Sequence, residues 1–255
     1  MELLRAIKKT IDYAKSFDCP INTKQINERL ISKKIYKLEE VQKGLKNFVV
    51  NNKKNRWLTI KEKKAINLSK LIKNRFKDIL FLGISGSVAA EYPNEKDDID
   101  LMLITKKNKL WMTRFWLRWF IFKNKIPHRK YGQKENKNEF CFNLWLDEDG
   151  LVLPKKRQNL RSAVDLIMLK PLINKQKTYE KFILTNSWVK KYLATGYNKL
   201  INRSSMTDCK IKEKNKKNNF MDGIINKLFF WPQYWYMGGK ITNEKVNYHR
   251  AFFHK

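Results

Sequence analysis

The sequence of 255 residues contains few cysteines, glycines and prolines. The three cysteines, Cys19, Cys141 and Cys209, lie far apart and form no C-x-x-C pair, which argues against a disulfide framework or a structural zinc site. The nine glycines follow no period, and 8 Trp, 10 Tyr and 15 Phe supply bulky apolar side chains, so collagen-like and disordered classes are excluded. We therefore expect a folded, cytoplasmic protein with reduced cysteines.

Long hydrophobic runs are also missing. A membrane-spanning helix needs about 18 or more apolar residues in a row, and no uncharged stretch reaches that length. The nearest candidates are Leu110–Phe122, which contains two arginines, and Phe229–Met237, which is interrupted by a proline. Both are predicted to be buried helices. The first residues, Met1–Phe17, are amphipathic and lack the apolar centre of a signal peptide.

Acidic residues are scarce, since 24 Asp and Glu stand against 55 Lys and Arg and give a formal net charge of +31. The excess is concentrated at the two ends, because the net charge is +13 over residues 1–76, +2 over 77–150 and +16 over 151–255. Two explanations stay open. Either the basic flanks bind a polyanion such as RNA or DNA, or an AT-rich genome has enriched the sequence in lysine, which supplies 44 of the 55 basic residues.

Residues 1–76 predict a winged-helix-like module with a linker helix. Three helices followed by a hairpin is the order of a winged helix-turn-helix, and the pattern places them at 3–16, 23–31, 38–48, and at the β-like runs 49–50 and 57–60. The third helix would present Lys43 and Lys46 to nucleic acid. The alternative is an accessory packing module. A basic helix over Lys61–Phe76 would complete this segment.

The rest of the chain predicts an α/β core over 77–155 and a helical region over 156–255. The core pattern gives strands at 79–83, 98–105 and 140–146, a short helix opening at 86, an aromatic helix at 110–122, and a run at 151–153 that pairs back on the third strand. The C-terminal region gives helices at about 160–169, 178–195 and 224–237, with a lysine-rich linker at about 203–218.

The segment between Phe81 and Thr105 has the strongest functional signal. A strand ends in the turn Gly-Ile-Ser-Gly-Ser, whose backbone N–H groups and helix entry suit a phosphate. Ten residues separate Ser87 from Asp98, Asp100 follows two positions later, and side chains two apart on a strand share a face. Two carboxylates beside a phosphate-binding turn predict a Mg²⁺ site, because Mg²⁺ prefers oxygen ligands and shares them with phosphates.

This segment resembles the G-S…D-x-D signature of the DNA polymerase β-like nucleotidyltransferases. The resemblance covers about residues 79–147 and implies a mixed sheet with flanking helices and transfer of NMP from a nucleoside triphosphate. It implies that Asp98 and Asp100 hold Mg²⁺ (or Mn²⁺), and that Gly86 and Ser87 cradle the β- and γ-phosphates. The acceptor is open: RNA, a protein hydroxyl or a small molecule.

The sequence departs from that family at the third carboxylate. The family places this acid on a later strand, where it completes a two-metal site and activates the acceptor hydroxyl. The matching strand here, Glu139–Leu146, has Asn143 as its best-placed polar residue, and Asn cannot take a proton. Asp147 at the strand end is the alternative ligand. A catalytically weakened nucleotide- or nucleic-acid-binding regulatory protein is therefore the second functional hypothesis.

Two arginines on the aromatic helix are further candidates. Arg114 and Arg118 are four residues apart on one helix face, so either guanidinium could bind triphosphate or acceptor by charge-assisted hydrogen bonds. Arg114 is the preferred one. The alternative is that both side chains pack along the surrounding tryptophans, which are expected to belong to the core.

Overall fold

The computed structural model describes residues 1–48, 55–129, 136–203, 220–238 and 246–253. The chain forms two compact units that are discontinuous in sequence. The helical unit comprises residues 1–56, 153–169 and 180–210, and the sheet unit comprises 57–152, 170–179 and 211–255. The contiguous segments expected from the sequence (1–76, 77–155 and 156–255) differ from these units, because distant stretches of chain pack together.

The described part of the helical unit contains the three predicted N-terminal helices and three later ones, of which α8 begins two residues before the last segment of the unit does. Their bounds are α1 Glu2–Lys15, α2 Thr23–Glu28, α3 Leu38–Gly44, α7 Leu160–Met168, α8 Thr178–Thr185 and α9 Lys190–Arg203. Helix α2 begins with a capping box, in which Asn22 Oδ1 accepts from the backbone N–H of Gln25 and the side chain of Gln25 accepts from the N–H of Asn22. Ile7, Ile26 and Val41, all fully buried, form the centre of this core.

One strand of the predicted N-terminal hairpin is a helix in the structure. Residues 57–60, expected to be β-like, lie in the first turns of α4, which runs from Arg56 to Arg75. Ala65, Leu68 and Ile72 of this helix are buried at helical spacing, and the helix extends one turn further back than the pattern indicated. The predicted partner run at 49–50 lies outside the described residues, as do residues 51–54 between the two predicted runs and most of the predicted linker at 203–218.

The sheet unit is built on a mixed six-stranded sheet with helices α5 Gly86–Ala89, α6 Leu110–Lys123 and α10 Phe220–Gly238. The strands are β1 Ile79–Ile84, β2 Ile99–Thr105, β3 Phe140–Asp147, β4 Lys170–Asn174, β5 Val246–Asn247 and β6 Arg250–Phe252, in the spatial order β4-β1-β2-β3-β6-β5. Strands β2 and β3 pair in parallel, and the other pairs are antiparallel. Strand β1 is buried along its whole length, which explains its uninterrupted apolar sequence.

The edges of the sheet differ from the sequence expectation. Residues 151–153 do not pair back on β3; β6 occupies that position, with Trp145 opposite Ala251. The backbone N–H of Leu153 instead bonds Asn186 Oδ1 at 2.9 Å within the helical unit. Strand β4 and the β5–β6 hairpin were not predicted, because such short segments carry almost no local pattern.

Helix α10 packs on α6, and both helices keep a substantial exposed apolar surface. The predicted single helix over 178–195 is divided into α8 and α9, with the buried amide of Asn186 between them. Within the described ranges, no helix combines the length and the apolar character that crossing a membrane requires.

Candidate metal centre

Two carboxylates meet at the start of β2. Asp98 directly precedes the strand and Asp100 is its second residue, so both side chains leave the same face, as the spacing predicted. One ligand atom from each of Asp98, Asp100 and Cys141 lies within 4.8 Å of the others. Asp98 is only 5% exposed, so the group is recessed from bulk water. Within the part of the chain that the structure describes, this is the cluster of acidic and thiol groups able to hold a metal ion.

Gly86 brings the turn after β1 against Asp100. The backbone N–H of Ser85 donates to the carbonyl of Asp100 at 2.9 Å, and Gly86 then takes a left-handed φ of +64°. A methyl group at Gly86 would overlap Oδ2 of Asp100, so a side chain is excluded on conformational and steric grounds. Ser87 follows, half-buried in the first turn of α5. The Gly-Ser turn was predicted to lie beside the Asp pair, and Gly86 is the residue of the turn that contacts Asp100.

Cys141 is a member of the cluster that sequence reasoning missed. It is the register partner of Asp100 in the parallel β2–β3 pair and is 4% exposed. Burial raises the pKa of its thiol strongly, and the charges of Asp100 and Asp98 raise it further. The thiol is therefore protonated at neutral pH and donates to Asp100. In the sequence, the one feature that could have placed Cys141 in the cluster was its spacing of two residues from Asn143 on the same strand.

Asn143 faces the same carboxylate. Its Nδ2 donates to Asp100 Oδ1 at 3.0 Å. The register of β3 shifts here, since Leu101 pairs with Phe142 and Met102 with Leu144, so Asn143 is the extra residue of a β-bulge. The predicted orientation of Asn143 towards the Asp pair is confirmed, and an amide stands where the resemblance implies a third acid.

Arg129 neutralises Asp98. Its Nη1 donates to Asp98 Oδ2 at 3.2 Å, and the two side chains are 16% and 6% exposed. The backbone fixes this position, because the N–H of Arg129 donates to the carbonyl of Phe140 at 3.0 Å. Arg129 lies in a polar loop whose sequence has no periodicity, so nothing local marked it as part of the site.

Lys61 of α4 holds the turn that leads into Asp98. Its ammonium is buried and donates to the carbonyl of Asp97 at 2.5 Å and of Glu95 at 3.3 Å. Burial lowers the pKa of Lys61, while the charges of Asp97 and Asp98 oppose that shift. Lys61 therefore acts through the backbone and has no place among the candidate ligands.

The alternative ligand Asp147 is excluded by its position. In the β2–β3 register Asp147 pairs with Thr105, whereas Asp100 pairs with Cys141. Cys141 precedes Asp147 by six residues on β3, which corresponds to roughly 20 Å along the strand. Its fully buried carboxylate accepts from the backbone N–H groups of Asp149 and Gly150 and lies 2.9 Å from His249 Nδ1. Asp147 thus terminates β3 and anchors the C-terminal hairpin.

The prediction that Arg114 binds triphosphate or acceptor is also corrected, because the structure gives this side chain a packing role. The side chain is 4% exposed, and its guanidinium donates to Gln233 Oε1 and to Met237 Sδ, both on α10. The same group lies 4.8 Å from the ring centre of Phe253. A guanidinium enclosed in this way fastens α10 to α6 and does not present itself to a triphosphate.

The donor set fits a hard divalent cation only in part. Asp98 and Asp100 offer the carboxylate oxygens that Mg²⁺ and Mn²⁺ prefer, whereas a protonated thiol is a poor ligand for either ion. The Asn143 amide supplies an oxygen only if it turns from its present bond to Asp100.

Comparisons of the chain with protein-family models, with curated proteins and with solved structures find no match.

Proposed function

We propose that the protein is a Mg²⁺- or Mn²⁺-dependent nucleotidyltransferase that moves NMP from a nucleoside triphosphate to RNA, a protein or a small molecule. The observation that carries the proposal is the convergence of Asp98 and Asp100 beside the backbone of Gly86. Two recessed carboxylates next to a glycine-containing turn that enters a helix suit a metal–triphosphate complex. The resemblance of the same residues to the G-S…D-x-D signature supports the same reaction.

Each residue of the centre has a distinct part in this proposal. Asp98 and Asp100 hold the cation, which when bound would neutralise phosphate charge. Gly86 and Ser87 receive the β- and γ-phosphates. Arg129 compensates the charge of Asp98 in the metal-free protein and is available to a phosphate when a cation takes its place.

Proton removal from the acceptor is the weak step. Neither the Asn143 amide nor the protonated Cys141 thiol can act as a general base, and both stand where the resemblance implies an acid. We therefore expect triphosphate binding with slow transfer. The same observation favours the second candidate, a regulatory protein that binds nucleotide or nucleic acid without efficient turnover.

The helical unit would supply nucleic-acid contact in either case. Lys43 and Lys46 are exposed at the end of the three-helix segment, which we propose to contact nucleic acid as a helical module without the predicted second wing strand. Exposed lysines on such a helix suit phosphate contacts. An acceptor RNA would then be held by this unit, in the cytoplasm.

The test uses the full chain with each labelled NTP, Mg²⁺ or Mn²⁺, and total RNA or total protein as acceptor. Wild type is expected to label one acceptor class, and Asp100→Asn should abolish labelling and NTP binding with little effect on folding. Asp12→Asn, an exposed acid on α1, is the matched control. Binding without transfer would select the regulatory candidate, and absence of both would reject both functions.

A further inference from the structure

An apolar face of unusual size lies on helices α6 and α10. On α10 the side chains Met221, Ile224, Leu228, Trp231 and Trp235 recur at helical spacing and are all exposed, Trp235 at 75%. On α6 the side chains Phe115, Trp116, Trp119 and Phe122 are exposed, Phe122 at 72%. We call these residues the aromatic face. The opposite side of α10, including Phe230 and Met237, is buried, so the exposed stripe is surplus to the core.

The two halves of the aromatic face are continuous. The rings of Trp116 and Trp119 lie 5.9 Å apart, and Phe115 contacts Trp116 at 5.3 Å. Phe115 also contacts Phe229 of α10 at 5.1 Å. Single exposed apolar residues are normal on the surface of a soluble protein, whereas a contiguous apolar surface of this kind marks an interaction site.

Cations border the aromatic face. Lys123 Nζ lies 5.2 Å from the ring centre of Trp119, and the Arg75 guanidinium lies 5.1 Å from that of Phe120. Between them a cavity of about 590 Å³ is lined by Arg75, Lys77 and Lys123 together with Trp116 and Trp119. The one acidic residue of this lining, Asp78, is paired with Lys106 at 2.8 Å. The cavity therefore combines net positive charge with an apolar wall.

The sequence adjoining α10 adds further charge. Lys210, Lys212, Lys214, Lys216 and Lys217 precede the helix within ten residues of its first residue. A lysine cluster directly before an amphipathic helix is the arrangement that attracts an anionic lipid surface. The apolar stripe and the neighbouring charge therefore point to one kind of partner.

We infer that the aromatic face binds the interface of an anionic phospholipid bilayer, with α10 lying along the surface. Trp and Tyr favour the boundary between headgroups and acyl chains, and Met221, Ile224 and Leu228 provide the apolar contact beside them. Nucleic acid would match the cations but not this aliphatic stripe. A second copy is opposed by electrostatic repulsion, since each chain carries +31.

The experiment is vesicle sedimentation of the full chain with phosphatidylcholine vesicles and with vesicles that also contain phosphatidylglycerol. Binding is expected to the anionic vesicles, to weaken with salt, and to fall at least about tenfold in the double variant Trp231→Glu/Trp235→Glu. Ile66→Glu, an exposed apolar residue on α4, is the matched control and should bind as wild type. Circular dichroism checks that each variant is folded.

Wild type supplies a second readout that needs no variant. Lipids brominated on the acyl chains should quench its tryptophan fluorescence, because the exposed tryptophans would lie at the depth of the upper chain. Failure to sediment with anionic vesicles, or equal binding by the double variant, would overturn the inference. A dimer in light scattering that the double variant abolishes, without vesicle binding, would assign the face to a second copy and overturn it as well.

Discussion

Gly86 shows how one residue sets the geometry of the centre. Its left-handed φ of +64° and the close approach of Asp100 leave no room for a Cβ atom. Gly86→Ala should therefore lower the free energy of unfolding by about 1–3 kcal/mol and weaken Mn²⁺ binding. Urea unfolding and Mn²⁺ titration measure both effects. Gly238→Ala, where an added Cβ meets nothing within 4 Å, is the control, and an equal effect of the two changes would contradict the steric account.

Arg129 controls the charge at the centre. With its guanidinium 3.2 Å from Asp98 Oδ2, it competes with any cation for that carboxylate. Arg129→Gln should tighten Mn²⁺ binding in the absence of nucleotide by about threefold or more, because one fixed positive charge is removed. Calorimetric titration measures the affinity. Arg5→Gln, an exposed residue of α1, removes the same charge elsewhere and should leave the affinity unchanged; a weaker site in Arg129→Gln would show that the arginine supports the cation.

Asn143 determines what the centre can do with a metal. Replacing the amide by a carboxylate sets two negative groups in place of the 3.0 Å hydrogen bond to Asp100. Asn143→Asp should destabilise the metal-free protein by about 1–3 kcal/mol, tighten Mn²⁺ binding and raise the transfer rate. Thermal unfolding with and without Mn²⁺ measures the coupling. Equal stabilisation of wild type and variant by Mn²⁺ would mean that residue 143 does not reach the ion.

Among the elements, the β5–β6 hairpin pairs with β3 through its strand β6 and also contacts the end of β3 through a His–Asp pair. His249 lies between β5 and β6, and its Nδ1 is 2.9 Å from the buried carboxylate of Asp147 at the end of β3. The hydrogen bond to Asp147 raises the pKa of His249 above its ordinary value of 6.5, with Asp149 adding to the shift and Lys107 opposing it. Protonation of His249 is thus linked to docking of the hairpin.

The sign of the pH effect follows from the raised pKa. The folded protein holds this proton more tightly than the unfolded chain, so the pair contributes fully below pH 6.5, the unfolded value, and its contribution is lost as pH rises through the folded-state value. The free energy of unfolding should therefore fall as the pH rises above 6.5. His249→Gln should flatten this dependence in urea unfolding. A variant with the wild-type slope would remove His249 as its source.

At the scale of the whole molecule, the uneven charge is the property most open to test. If the basic flanks bind nucleic acid, the logarithm of the affinity should fall linearly with the logarithm of salt concentration. Lys43→Gln/Lys46→Gln should weaken binding for all sequences alike and reduce the slope by about 1 for each lysine. Lys96→Gln/Lys125→Gln, exposed in the nearly neutral middle, carries the same charge change and is the control. Binding indifferent to salt would leave the charge as a matter of composition.

Elements with a strong local pattern were predictable from the amino-acid sequence. The bounds of α1, α6, α10, β1, β2 and β3 were predicted within a few residues, because each element has an apolar pattern along its own length. The predicted burial of α6 and α10 was wrong in part, since one side of each helix is exposed. The shared face of Asp98 and Asp100 was predictable for the same reason, since alternation along a strand is a property of the backbone.

The other residues of the centre join that pair through contacts between distant segments of the chain. Cys141 reaches the centre through strand register, Arg129 through a loop fixed by one backbone hydrogen bond, and Lys61 through a helix that begins over thirty residues earlier. Arg114 had the right chemistry and was buried instead under α10. Register, loop closure and the packing of α10 depend on contacts between segments far apart in the chain, and no spacing within one segment encodes them.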